Sequence, residues 1–181
     1  MIKILGEKEF KTSRWSGGTT KELYIYPENG DYAKREFLFR LSIAVTEAED
    51  SVFTKLPQVN RVISILEGKM ELSHKGHHNV VLLPYEIDRF NGEWDTVSKG
   101  KVTDFNLMLK NCKGDFFFKE FDGKEKITFN EEEDFLFVYC ISGIVKIEDK
   151  IIESGKLVLI KDIELSIIGE KSKIFYGYMK I

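Results

Sequence analysis

The sequence predicts an all-β protein built as two small β-barrels in tandem, and three observations carry that expectation. Apolar and polar residues alternate at period two in short runs rich in β-branched and aromatic side chains, broken by Gly, Asn and Asp. Helix signals are scarce, so the strands lack the intervening helices that a parallel α/β fold requires. One short pattern also recurs along the chain: Leu66-Glu67-Gly68-Lys69-Met70-Glu71-Leu72 lies over Ile141-Ser142-Gly143-Ile144-Val145-Lys146-Ile147, apolar residue, glycine and strand in the same order.

The clearest strand is Phe37–Val45. Phe37, Phe39, Leu41, Ile43 and Val45 fall on one face, and Leu38, Arg40, Ser42 and Ala44 on the other. The first face reads as core, and the second carries a lone arginine. Further strands are expected at Arg61–Leu66, Lys69–Ser73, Asn79–Leu83, Ile87–Phe90, Thr103–Leu109, Phe116–Glu120, Phe135–Ile141, Val145–Ile147, Leu157–Ile160, Glu164–Ile168 and Lys173–Lys180. After each repeated glycine come a short strand, a loop, an apolar run ending in Phe90-Asn91-Gly92 or Ile167-Ile168-Gly169, and a final strand. The two halves are drawn at 1–112 and 113–181, the second packed closely on the first. Phe121–Lys126 and the acidic run Glu131–Asp134 form the least core-like stretch and read as a solvated junction without chemistry.

Composition narrows the function. The chain has 181 residues, 27 Lys+Arg and 30 Asp+Glu, a formal net charge of −3, so bulk positive charge does not recruit nucleic acid. With 43% hydrophobic residues it has the material for a substantial core. No apolar stretch approaches the ~20 residues that span a bilayer, and the N-terminus lacks a signal-peptide run, so no membrane partner and a cytoplasmic address are expected. Cys112 and Cys140 lie far apart with no CxxC, which points to neither a disulfide framework nor a zinc site. His74, His77 and His78 cluster in a Gly-containing link between two strands and are expected on a solvated hairpin tip, without a functional metal. Nucleophile-elbow, phosphate-loop, dinucleotide and HExxH motifs are absent from the sequence, and no cofactor is expected.

What remains is a set of polar residues within apolar strands. A permanently charged Arg40 among Phe, Leu and Ile must find an anion or reach water, either as a structural ion pair or as a ligand contact. Arg61 opens a strand at a barrel rim. In Val102–Leu109, alternation puts Asp104, Asn106 and Met108 on one face; they either orient a ligand and pair with Arg40, or lie on the solvent face. In Arg14–Glu22, consecutive glycines let backbone N–H groups face an anion or a ligand approach closely beside Trp15; the alternative is a tight turn with a core tryptophan.

These residues assemble into a family resemblance. Trp15-Ser16-Gly17-Gly18-Thr19-Thr20-Lys21-Glu22 resembles the WxGGxTxE opening of the HutD/Ves family. Phe37–Ala44 resembles its F-x-W-R-L-S-x-A block, with Phe39 at the tryptophan position. Leu56–Gly68 is similar to its FPGxDR…LEG block, departing at Gln58 and Asn60, and Phe90–Glu93 followed by Asp104-Phe105-Asn106-Leu107-Met108 matches F-x-G-D/E…DFNLM. The resemblance implies a bicupin of two fused jelly-roll barrels that lacks the cupin histidine motif, an association with histidine utilisation, and binding of an intermediate such as N-formylglutamate. The Ves branch is linked to stress, and no catalytic mechanism is established in the family. Carried over by position, the resemblance points to Trp15, Thr19, Glu22, Arg40, Arg61, Glu67, Phe90, Asp104 and Asn106 as ligand-binding residues.

Three functions compete on this basis. The first is a metabolite sensor or buffer, in which Arg40 and Arg61 neutralise the carboxylate of a small anionic metabolite and Asn106 or Thr19 reads its other polar group. The second is a metal-free enzyme, an isomerase or hydrolase, with Glu22, Glu67 or Asp104 as general base. The third is an interaction protein pairing through a sheet edge; the consecutive aromatics Phe116-Phe117-Phe118 place at least one ring on the wrong side of a half-buried strand and suit a homodimer face.

Overall fold

The computed structural model describes residues 2–128, 134–161 and 164–181, and every regular element among them is a β-strand. No helix among them is long and apolar enough to cross a membrane. The strands divide into two compact units, Lys11–Asn111 and the chain ends Met1–Phe10 with Cys112–Ile181.

The Lys11–Asn111 unit is built from two antiparallel sheets. The larger contains β2 (Lys11–Trp15), β3 (Gly18–Tyr26), β4 (Phe39–Thr46), β6 (Val59–Gly68), β9 (Ile87–Asn91) and β11 (Val102–Lys110), in the order β2-β3-β4-β11-β6-β9. The smaller contains β5 (Asp50–Val52), β7 (Met70–His74), β8 (Asn79–Leu82) and β10 (Thr96–Lys99), in the order β5-β10-β7-β8. Ile63, Ile65, Phe90 and Val102 of the larger sheet pack on Met70, Leu72 and Leu82 of the smaller one, which closes an apolar interior between them.

Register places the polar residues. Met108 on β11 stands opposite Arg40 on β4 and Arg61 on β6, so both arginines lie in one row across the sheet, roughly 10 Å apart at two strand spacings. The next rows along β11 set Asn106 beside Ser42 and Asp104 beside Ala44. The twin glycines have a steric reason here. A Cβ on Gly17 would overlap the Trp15 indole, and one on Gly18 would overlap the Val45 carbonyl oxygen of the neighbouring strand.

The other unit is a single six-stranded sheet. β1 (Ile2–Leu5), β15 (Leu157–Ile160), β13 (Phe135–Ile147), β16 (Glu164–Lys180) and β12 (Lys113–Thr128) follow in that order, and β14 (Lys150–Glu153) also pairs with β13. Its core includes Phe121, Leu136, Val138, Ile152, Val158, Ile167 and Ile174.

Two expectations need correction. Residues 1–10 do not join the first half: β1 pairs antiparallel with β15, Ile2 opposite Ile160 and Leu5 opposite Leu157. Phe121–Lys126 is strand and not a junction, because a register shift between Phe121 and Gly123 lets β12 keep pairing with β16 as far as Thr128 opposite Glu164. In the acidic run Glu131–Asp134, the first three residues lie outside the described residues.

The repeat has a common structural cause. Gly68 and Gly143 have φ of 90° and 80°, and a Cβ would come within 2.6 Å of the carbonyl oxygens of Lys101 and Glu170 respectively. At both positions the positive φ and the close carbonyl oxygen favour glycine, and a register shift lies nearby in the pairing of β6 and β13.

Candidate functional site

The face of β4 that alternation separated from the core lines a cavity of about 620 Å³, within the size range of small-molecule pockets. Arg40, Ser42, Ala44 and Thr46 contribute from β4, and Asp104, Asn106 and Met108 from β11. Arg61 closes one side, and Trp15, 39% exposed, stands at the rim.

Arg40 is buried and already paired. Its Nε donates to Glu22 Oε2 at 2.7 Å, its Nη1 lies 3.4 Å from Ser42 Oγ, and its guanidinium sits 4.2 Å from the centre of the Tyr32 ring. The structural ion pair and the cavity-lining position therefore coexist in one residue.

Arg61 differs. It is 8% exposed, it lies over the rings of Phe53 (4.8 Å) and Phe90 (5.2 Å), and its Nε has no hydrogen-bond partner. Burial holds its pKa down to about 10, and the nearby Asp104 acts in the opposite direction. Asp104 is buried too: desolvation pushes its pKa up to about 7, against the Arg61 charge and a hydrogen bond from Asn106. Asn106 Oδ1 is buried without a partner. The wall thus offers an unused guanidinium donor, an unused amide acceptor and a carboxyl group poised near neutrality. Unsatisfied buried polar atoms are costly in an empty protein and are expected where a ligand completes them.

Of the nine predicted residues, Trp15, Arg40, Arg61, Asp104 and Asn106 line the cavity. Glu22 acts behind it by holding Arg40. Phe90 lies beneath Arg61 as an aromatic floor. The other two of the nine lie away from the cavity lining. Thr19 is out of phase: Thr20, on the same face of β3 as Glu22, lines the cavity instead. Glu67 is exposed near the end of β6 and is not among the residues that line the cavity. The sequence reading missed Tyr32 and Phe53, which lie outside the strands and gave no periodic signal, and passed over Thr46, which continues the Arg40 face by simple alternation.

The histidines also depart from expectation. Met70, Leu72 and His74 alternate inward on β7, so His74 is buried and not on an exposed tip. Its Nδ1 is 2.7 Å from Thr96 Oγ1 and its Nε2 2.9 Å from Asp88 Oδ2, while His78 Nε2 is 2.9 Å from Asp88 Oδ1. Burial moves the His74 pKa below its usual 6.5, with Asp88 opposing. His77 stacks on Trp94 at 3.7 Å.

Comparison with known proteins follows this geometry. A sequence model of the HutD family matches residues 7–171. Protein Ves of Cronobacter sakazakii (strain ATCC BAA-894) is 31% identical over 110 residues, which is 57% of this chain and 58% of that relative, so the match spans little more than half its length. The fold resembles the structure of HutD from Pseudomonas fluorescens SBW25 (formate condition), with a TM-score of 0.83, 20% identity and coverage of 99% of this chain and 98% of that one. It also resembles a cupin 2 conserved barrel domain protein from Leptotrichia buccalis, with a TM-score of 0.60, 10% identity and coverage of 99% and 96%. The chain shares an all-β, cupin-like fold with these proteins.

Proposed function

The chain belongs to the HutD family, and on that premise we propose that the cavity of the Lys11–Asn111 unit binds a small carboxylate-bearing metabolite of the N-formylglutamate kind, in a regulatory or buffering role within histidine breakdown. The observation that carries this reading is the pair of unused buried groups on one wall, Arg61 Nε and Asn106 Oδ1. A carboxylate meets the guanidinium with parallel hydrogen bonds, and an amide N–H of the same ligand donates to Asn106. Arg40, its charge balanced by Glu22, orients the ligand more than it neutralises it. On the same reading each unit is one cupin barrel, and the pocket proposed to bind the metabolite lies in the Lys11–Asn111 unit.

Calorimetric titration with N-formylglutamate, glutamate and urocanate tests this. Wild type binds at least one of them below millimolar, and Arg61→Ala weakens that binding by tenfold or more, in line with ~1.5–3 kcal/mol for a charged hydrogen bond. Absence of binding, or equal binding by the variant, rules the reading out.

A second reading is favoured by one observation, the Asp104 pKa of about 7 beside a cation. A metal-free isomerase or hydrolase would use such a carboxyl as general acid or base. Purified protein that turns over one of these metabolites, with Asp104→Asn folded and inactive, would establish catalysis over simple binding.

A further inference from the structure

The interior of the Lys11–Asn111 unit holds a second polar cluster outside the cavity lining. His74 ends β7, His78 lies in the turn before β8, and Asp88 sits on β9, so one hairpin and a separate strand deliver three donor atoms within 4.8 Å of one another. The turn is built to hold them: His74 N–H donates to the His78 carbonyl at 2.9 Å, His77 N–H to the His74 carbonyl at 2.9 Å, and Lys75 N–H to the Asp95 carbonyl at 2.9 Å. Gly76, at φ 81°, supplies the left-handed residue that lets the turn close.

The identity and enclosure of these donors are the decisive features. The Asp88 side chain is only 11% exposed, and among the described residues its ion-pair partners are the two imidazoles, with no lysine or arginine. Two imidazole nitrogens and one carboxylate thus converge in a largely enclosed place, the donor set that a divalent transition ion takes. We propose that His74, His78 and Asp88 form a binding site for a divalent first-row transition ion of the zinc class, with a further position open to water on the His78 side.

The donor set selects that class of ion. Two imidazoles disfavour calcium and magnesium, which take oxygen ligands, and the absence of thiolate disfavours copper(I) and iron–sulfur clusters. Bonds of about 2.0–2.2 Å to three such donors place them little more than 3 Å apart, and the three donor atoms already lie within 4.8 Å of one another, so side-chain rotation brings them to that spacing without moving the strands. In the ligating form the His74 ring proton resides on Nδ1, and the Thr96 hydroxyl accepts it at the observed 2.7 Å. His74 and Asp88 are enclosed, whereas the His78 side chain is 39% exposed, which leaves a solvent entry path.

The test is calorimetric titration of the whole chain, freed of metal with a chelator, against Zn2+ alone in a non-coordinating buffer. Wild type takes up one equivalent. His78→Ala, at the half-exposed ligand, weakens binding about 100-fold or more; Thr96→Val, behind His74, weakens it about 10- to 100-fold; and His77→Ala, which removes only the ring stacked on Trp94, leaves it unchanged. The wild-type histidine nitrogen resonances provide a readout independent of folding in the variants: Zn2+ shifts Nε2 of His74 and His78 and not of His77. No saturable binding, binding unaltered by His78→Ala, or resonance shifts confined to His77 would each overturn the proposal and leave a hydrogen-bonded cluster only. The metabolite reading would stand in any of those cases.

Discussion

Arg40 and Arg61 share a row of the sheet and the same interior face, yet they carry different tasks, because Glu22 reaches one and nothing reaches the Nε of the other. The proposal of Arg61 as the primary anion contact rests on that difference, which was not visible in the sequence, where both were strand arginines. Asp104 gives a titration consequence. Its folded pKa, about 7, stands above its ordinary value of 3.8, so the folded state holds the proton more tightly. The stability this group contributes is complete below its unfolded pKa and is lost as pH rises through about 7. Wild type minus Asp104→Asn, compared by urea unfolding at pH 4.5 and pH 7.5, should fall by on the order of 1–3 kcal/mol. A difference that stays constant or grows with pH would mean that Asp104 is not desolvated. Asp104 and Asn106 were legible as a pair because alternation put both on one face of β11; only the structure distinguished a cavity from the solvent.

At the scale of the elements, period two accounts for most of what could be foreseen. The strand expected over Phe37–Val45 is observed as Phe39–Thr46: Phe39 and Leu41 keep the core face, but Val45 on that face is exposed and Phe37, ahead of the strand, packs with Met108; on β7 the expected exposed histidine tip ignored that His74 is in phase with Met70 and Leu72. Register shifts are where alternation fails. The bulge between Glu22 and Tyr24 and the one between Phe121 and Gly123 reset the pattern, and the second turned an apparent linker into continuous strand. Tyr32 and Phe53 escaped because residues outside strands carry no period. The repeated glycines give the prediction proper to this scale. Gly68→Ala and Gly143→Ala should each lower stability by more than about 1 kcal/mol in denaturant unfolding, since a positive φ and a blocking carbonyl coincide at both. A neutral Gly143→Ala would break the equivalence on which the repeat rests.

For the molecule as a whole, the chain order hides one feature that no local pattern announces: residues 1–10 add a strand to the sheet made by residues 112–181, so the compact units are not successive stretches of sequence. Sequence pattern fixes which residues alternate but not which distant edge a short strand completes. The larger distribution of chemistry is clearer. The described cavity lined by buried charge lies within Lys11–Asn111, and the account assigns metabolite binding to that unit. A nitrogen–proton correlation spectrum of the full chain, recorded with and without saturating N-formylglutamate, sees every amide and the Arg61 Nε–H together. The account predicts that the Arg61 Nε–H signal shifts downfield along with amides of β4, β6 and β11, while those of the terminal sheet stay in place. An unmoved Arg61 signal at saturation, or changes confined to residues 112–181, would contradict it.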